Sequence, residues 1–225
     1  MTRTAALVLQ HGDWGPPGLL GEWADARGVA LDVHHAQSGA PLPELNGQLF
    51  VASLGSPHNP DDTSVPEVAN ELAFLREAVA RDVPVLGLCF GGQALASVLG
   101  GTIERAPEPE LGWYAVDTTA PDVIPAGPWL QWHFDRFTLP PGATQLASSP
   151  AGVQAFTHGR HLGVQFHPES TIEIVTRWAR VDDERLDGLG VAERERLVEQ
   201  GRDHADAAAA AAFDLFDAFW RRASP

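Results

Sequence analysis

Along the first hundred residues, short unbroken apolar runs alternate with stretches whose apolar positions recur at helical spacing. Ala5-Ala-Leu-Val-Leu9 predicts a buried strand, ended by the turn-rich segment from Gly12 to Gly18. Leu19 to Arg27 predicts a helix, with Gly28 placed where a left-handed C-terminal cap belongs. Ala30-Leu-Asp-Val33 and Gln48-Leu-Phe-Val-Ala52 predict two more strands, and Leu54 to Pro66, rich in Gly, Pro, Asn and Asp, predicts a loop. Val68, Leu72, Leu75 and Val79 then share one helical face at spacings of 4, 3 and 4, before Asp82 ends the helix and Pro84-Val-Leu-Gly-Leu88 begins another strand. Strands that are apolar on both faces and separated by helices require right-handed β-α-β crossovers. The expected fold class is therefore α/β, with a mostly parallel central sheet flanked by helices.

From Gly101 to Gly163 the pattern changes to shorter segments separated by Pro and Gly. Trp129-Leu-Gln-Trp132, Gln154-Ala-Phe156 and His161-Leu-Gly-Val-Gln-Phe166 suit antiparallel strands or the far edge of the sheet. Ser170 to Ala179 returns to helix, with Ser170 or Thr171 as N-cap. A charged amphipathic stretch from Asp182 to Asp206 leads through six alanines, Ala207 to Ala212, to Phe213, Phe216 and Trp220 at helical spacing. The expected organisation is one domain over residues 1–225, with 180–225 as a C-terminal helical extension packed on it.

Composition narrows the chemistry. The 225 residues carry 30 acidic and 15 basic side chains, a formal net charge of −15, so a polyanion such as nucleic acid meets net repulsion. Every base is Arg and no Lys occurs, which removes a Schiff-base lysine and a Walker A lysine from consideration. A single cysteine, Cys89, rules out an intrachain disulfide and a Cys-based zinc site. Met1-Thr-Arg-Thr runs straight into a short apolar segment, and no stretch approaches the ~20 apolar residues of a membrane span. A cytoplasmic protein with no membrane or nucleic-acid partner is the expectation.

The informative segment is Val85-Leu-Gly-Leu-Cys-Phe-Gly-Gly-Gln93. Gly87 and Gly91 lie two residues to either side of Cys89, between a strand and a helix pattern, which is the cysteine form of a G-x-S-x-G nucleophile elbow. Such glycines permit a turn too tight for bulky Cβ atoms, and a helix N-terminus beneath the sulfur favours the thiolate. The backbone N–H of Phe90 then points toward an oxyanion formed by attack at Cys89. A thiolate nucleophile needs a base, and the base an orienting group. Gln165-Phe-His-Pro-Glu169 supplies both: residues two apart in an extended segment face the same way, and Pro168 biases His167 to that geometry. Glu169 is thus placed to accept from one ring nitrogen of His167, leaving the other for proton transfer.

These two motifs together resemble the class I glutamine amidotransferases, most of all the stand-alone relatives of the GMP synthase amidotransferase domain. The resemblance spans residues from about 5 to 175 and includes Gly100-Gly-Thr-Ile103, Glu110-Leu-Gly-Trp-Tyr114 and Gln131-Trp-His-Phe-Asp-Arg-Phe137. It implies a flavodoxin-like architecture, no cofactor or metal, and a Cys89-His167-Glu169 triad acting on a γ-glutamyl amide through a thioester. By the same resemblance Gln93 helps hold glutamine, His133, Phe134 and Asp135 line the amino-acid pocket, and Gly55 donates the second oxyanion N–H. Ammonia would pass to a separate synthetase, because no phosphate loop is present to activate an acceptor.

Two departures from the family pattern stand out. The loop that often reads Gly-Gly-Pro is here Ser53-Leu-Gly-Ser-Pro-His58, so the donor is Gly55 or Ser56. The segment that usually reads Trp-His-Gly-Asp carries Phe134 in place of the glycine, which reshapes the acyl pocket. A γ-glutamyl hydrolase or peptidase acting on larger γ-glutamyl compounds is therefore a second reading, and a non-catalytic regulatory subunit on the same fold a third. The remaining histidine pairs, His34-His35 at the end of a predicted strand and His158-Gly-Arg-His161 in a predicted hairpin turn, lack a nearby acidic third ligand in sequence and are expected to be solvated or capping. The seven tryptophans are expected in the core or the pocket wall.

Overall fold

The architecture was read from a computed structural model that describes residues 5–180 and 189–224. The alternating first half folds as its pattern requires. Strand β1 (Ala6–Gln10), helix α1 (Gly18–Arg27), β2 (Leu31–His35), β3 (Val51–Ser53), α2 (Pro66–Ala80), β4 (Val85–Leu88) and α3 (Phe90–Val98) follow in order. Gly28 closes α1 in the left-handed region at φ 66°. Strand β3 is shorter than Gln48–Ala52 predicts, although Leu49 N–H still donates to Ala5 and Leu7 N–H to Phe50 along the edge of β1.

The rest of the chain gives β5 (Ile103–Tyr114), β6 (Asp117–Thr118), β7 (Trp129–Phe137), β8 (Thr144–Ser149), β9 (Gly152–His158), β10 (His161–Val164), α4 (Ile172–Trp178) and α5 (Val191–Ala223). The eight-stranded sheet runs β2-β1-β3-β4-β10-β9-β8-β6. Its first five strands are parallel, and β9, β8 and β6 continue it antiparallel. Trp129–Trp132 falls outside this sheet, in a two-stranded antiparallel ribbon of β5 and β7. The sequence pattern hides β5, because Pro107, Pro109 and four charged side chains interrupt it, and its register shifts between Arg105 and Glu110.

Alternate residues of the buried strands serve opposite layers. Ala6 and Val8 face α1 and α5, where Trp23, Leu215 and Phe216 pack. Leu7 and Leu9 face α2 and α3, against Val68, Leu72, Leu75 and Leu95. Helix α5 lies along α1: Phe216 packs 5.9 Å from Trp23, Phe219 packs 5.3 Å from Phe50, and Asp217 accepts from Trp23 Nε1 at 2.8 Å. Phe213 and Trp220 are partly buried, and Phe219 takes the inward place beside Phe216. The beginning of the predicted extension, residues 181–188, lies outside the described residues.

Parallel α/β sheets place their functional loops beyond the carboxyl ends of the strands, beside the point where strand order reverses. Here that point is β1/β3, and the segments leaving β1, β3, β4 and β10 carry His11, Gly55, Cys89 and His167.

Candidate active site

Cys89 is the one residue between β4 and α3, and it adopts φ 53°. For a side-chain-bearing residue this region costs about 1–3 kcal/mol, so surrounding structure must impose it. The imposing contacts are backbone to backbone. Cys89 N–H donates to Val164 of β10 at 2.9 Å, and Cys89 C=O accepts from Gln93 N–H at 2.9 Å. The first turn of α3 is pressed against neighbouring strands: a Cβ at Gly91 would lie 2.1 Å from the Ser53 carbonyl oxygen, and one at Gly92 2.3 Å from that of Val164. These contacts seat the sulfur at the N-terminal end of α3, with 7% of the residue exposed.

His167 and Glu169 leave the end of β10 and are both buried. His167 Nδ1 and Glu169 Oε1 are 2.8 Å apart. The imidazole is held on its other sides by Trp178, whose ring packs edge-on at 4.7 Å, and through its backbone by Leu130. Nε2 has no conventional hydrogen-bond partner among the described residues. Burial by itself lowers the His167 pKa, but the charges of Cys89 and Glu169 outweigh it and push the group up to about 10. This favours the doubly protonated imidazole, whose second proton sits on the nitrogen that Glu169 does not occupy. The Glu169 backbone is fixed by the start of α1, where Leu19 N–H donates to its carbonyl at 2.9 Å. Gly18 is required there, since a Cβ would fall 2.1 Å from that oxygen.

A pocket of about 210 Å³ opens above the sulfur. It is lined by Cys89, His167, Gly55, Gln93, Phe134 and Asp135, among others, so the structure brings these sequence-predicted residues together. Phe90 and Glu169, both buried, are not part of this lining. Gln93 Nε2 donates to the Asp135 carbonyl at 2.9 Å, which ties α3 to β7 across the pocket floor. Asp135 also accepts from Asn59 at 3.0 Å and Arg105 at 3.4 Å. The Arg105 guanidinium lies 5.2 Å from the centre of the Phe134 ring. His133 contributes to the wall, but its ring nitrogens are occupied by Glu110 (3.0 Å) and the Asp135 carbonyl (3.1 Å). Burial pushes the Glu110 carboxyl up, yet hydrogen bonds from His133, Ser149 and Gln154 more than offset it and hold the group below its ordinary range.

The structure corrects one expectation and adds several residues. His161 is neither solvated nor a cap: it is 3% exposed, and its Nδ1 accepts the Val85 amide at 3.2 Å. Burial depresses its pKa to about 4. Its turn with His158 is nonetheless the β9–β10 hairpin that the sequence predicts. Of the tryptophans, Trp14, Trp132 and Trp178 form pocket wall, while Trp23 and Trp129 are core.

His11 and Glu71 were not legible as site residues. Their side chains meet at 2.6 Å behind the Gly55 loop, both almost completely buried. His11 Nδ1 lies 3.0 Å from the Gly55 carbonyl, and Ser53 Oγ donates to Glu71 at 2.5 Å. One signal was present: Glu71 fills the i+3 place in a Val68, Leu72, Leu75 face, where a carboxylate needs a buried partner.

Residues 27–175 match the sequence profile described as glutamine amidotransferase class-I. The chain is 33% identical over 150 residues to the glutamine-hydrolysing GMP synthase subunit of Saccharolobus solfataricus, covering 63% of this chain and 78% of that one. It is 34% identical over 127 residues to a glutamine-hydrolysing GMP synthase of Brucella melitensis, where the match covers 51% of this chain and 24% of the relative. The match therefore spans about a quarter of that enzyme's length. In fold, the chain is similar to a glutamine amidotransferase from Methylobacillus flagellatus, with a TM-score of 0.88 at 24% identity over 98% of this chain and 96% of the other. A glutamine amidotransferase from Thermotoga maritima superposes with a TM-score of 0.87 at 23% identity over 100% of both chains. No helix among the described residues is long and apolar enough to cross a membrane. Profile, relatives and the cysteine elbow above a mostly parallel sheet agree, and the chain belongs to the class I glutamine amidotransferase family.

Proposed function

We propose that this protein hydrolyses the γ-amide of glutamine at Cys89 and releases ammonia to a separate synthetase. The observation that carries the proposal is the convergence, in one pocket, of a cysteine forced to positive φ and a buried His167–Glu169 pair. Cys89 thiolate attacks the amide carbon, and the carbonyl electrons move to oxygen. That oxyanion is held by the Phe90 N–H and an amide of the Ser53–Pro57 loop. His167, protonated and steadied by Glu169, transfers a proton to the amide nitrogen as the C–N bond breaks, releasing ammonia and leaving a γ-glutamyl thioester. Neutral His167 then takes a proton from water, the hydroxide adds to the thioester, and expulsion of the thiolate gives glutamate. The amino-acid end of the substrate is assigned to Gln93 and Asp135, a reading supported by their place in the pocket lining.

The delivery of ammonia to a synthetase is supported by likeness to a protein named as a glutamine-hydrolysing GMP synthase subunit. A second reading, hydrolysis of larger γ-glutamyl compounds, is favoured by Phe134. Its ring stands in the pocket with Arg105 over its face, adding apolar and cationic surface that glutamine alone does not need. Proton NMR of the protein with glutamine, and separately with a γ-glutamyl dipeptide, distinguishes the two, with Cys89→Ala as blank. Glutamate from glutamine, abolished in the blank, supports the first reading. Turnover of the dipeptide alone supports the second, and silence on both overturns the hydrolytic proposal.

A further inference from the structure

Resting on that hydrolytic reading, we propose that His11 is a positioning residue that fixes the oxyanion hole. Held by Glu71, it sets the Gly55–Ser56 peptide so that Ser56 N–H faces the attacked carbonyl. The loop offers few donors. Leu54 N–H is spent on the Leu9 carbonyl at 3.1 Å, and Pro57 has no N–H, so Gly55 and Ser56 remain. The Gly55 carbonyl approaches His11 Nδ1 at 3.0 Å, inside the protein. In a planar trans peptide the C=O and the following N–H point in opposite directions. Anchoring the Gly55 oxygen inward therefore turns the Ser56 N–H outward, and Ser56 is part of the pocket lining.

The anchor is built to hold one orientation. A carbonyl oxygen only accepts, so His11 Nδ1 must carry a proton, and a carboxylate at 2.6 Å from Nε2 requires one there as well. Burial opposes the doubly protonated ring, but Glu71 and the Gly55 carbonyl outweigh it, and the His11 pKa lies above its ordinary value. Ser53 Oγ–H satisfies the second carboxylate oxygen, and the Phe90 ring packs edge-on against the imidazole at 4.9 Å. Phe90 is also the residue whose amide is the other proposed donor, so His11 touches both sides of the oxyanion hole. No side chain at position 55 could share the space, since a Cβ there would lie 2.9 Å from His167 Cε1.

The test separates oxyanion stabilisation from general damage. Alkylation of Cys89 by iodoacetamide requires the thiolate but develops no oxyanion on a carbonyl, whereas amide hydrolysis requires both. His11→Leu should lower kcat for glutamine on the order of 10²-fold, as for loss of one oxyanion donor. Its KM and its rate of Cys89 alkylation should stay within about threefold of the parent, a small change beside that loss. His11→Asn, which keeps an N–H donor near the Gly55 carbonyl, should recover about tenfold of that kcat, and Glu71→Gln should fall between the two. Should His11→Leu fail to fold, His11→Asn and Glu71→Gln carry the same comparison of kcat with alkylation rate. Equal losses in hydrolysis and alkylation, or an unchanged kcat, overturn the positioning role while leaving the hydrolytic reading intact. If the parent protein itself releases no glutamate that Cys89→Ala abolishes, the hydrolytic reading fails and the inference falls with it.

Discussion

Among the described residues, two histidine–glutamate pairs with both partners almost fully buried flank the pocket, and on the hydrolytic proposal their difference separates proton transfer from scaffolding. His167–Glu169 meets at 2.8 Å and His11–Glu71 at 2.6 Å, with both histidines almost fully enclosed. In each, a carboxylate favours the protonated imidazole against the cost of burial. What differs is the second nitrogen. In His167 it has no conventional partner among the described residues and lies under the electrostatic influence of Cys89, so on the hydrolytic proposal its proton passes to the leaving nitrogen of a bound amide. In His11 it is committed to the Gly55 carbonyl, so its proton stays. On the hydrolytic proposal, burial and a carboxylate do not by themselves mark a general acid; the unoccupied nitrogen beside the proposed nucleophile does.

The largest effect expected from this contrast is at the nucleophile. Cys89→Ala should reduce glutamine hydrolysis at least about 10⁴-fold in a steady-state ammonia assay, because no other group within the site replaces the sulfur. A loss under tenfold would move the chemistry elsewhere. Next, Glu169→Gln should cost about 10³-fold in kcat by releasing the His167 ring and its proton-bearing form, with KM nearly unchanged in the same assay. Gly55→Ala tests the spacing between the two pairs, because its Cβ would press within 2.9 Å of His167 Cε1. A kcat loss on the order of 10-fold or more with an unaltered melting temperature is expected.

Smaller shifts should appear in titrations. Cys89→Ala should lower the His167 pKa from about 10, since the sulfur's charge raises it, and leave that of His11 unmoved when ring signals are followed by NMR. Equal shifts in both would erase the distinction between the pairs. The linkage to stability has opposite signs at two sites. His167, raised above its unfolded value of ~6.5, stabilises fully below that pH, and this contribution is lost as pH rises through about 10. His161, depressed to about 4, instead favours the fold above ~6.5, and the contribution is lost as pH falls from there to about 4. His161→Gln should flatten the acid side of a denaturation profile measured between those limits.

The elbow and the His167–Glu169 pair were legible in sequence because each is local. Gly87, Cys89 and Gly91 lie within five residues, and His167 and Glu169 within three. The parallel half of the sheet was legible for a related reason: Ala6–Leu9 and Pro84–Leu88 are buried on both faces, so their apolar runs are unbroken. His11–Glu71 was not legible, since 60 residues separate partners whose meeting depends on how β1 and α2 pack. The β5–β7 ribbon was hidden likewise, because β5 is largely exposed and carries prolines at its bulge. His161 was misjudged because a hairpin position predicts solvent, whereas β10 lies in the middle of the sheet beside β4.

The central claim is that the acyl group passes through the Cys89 sulfur. It is tested most directly by mixing the protein with glutamine, quenching in acid within the first turnover, and mapping the Cys89 peptide by mass spectrometry. The account predicts a γ-glutamyl adduct on Cys89 that is removed by hydroxylamine and is absent from Cys89→Ala. Glutamate formed at the parental rate by Cys89→Ala, or an adduct on any other side chain, would contradict it.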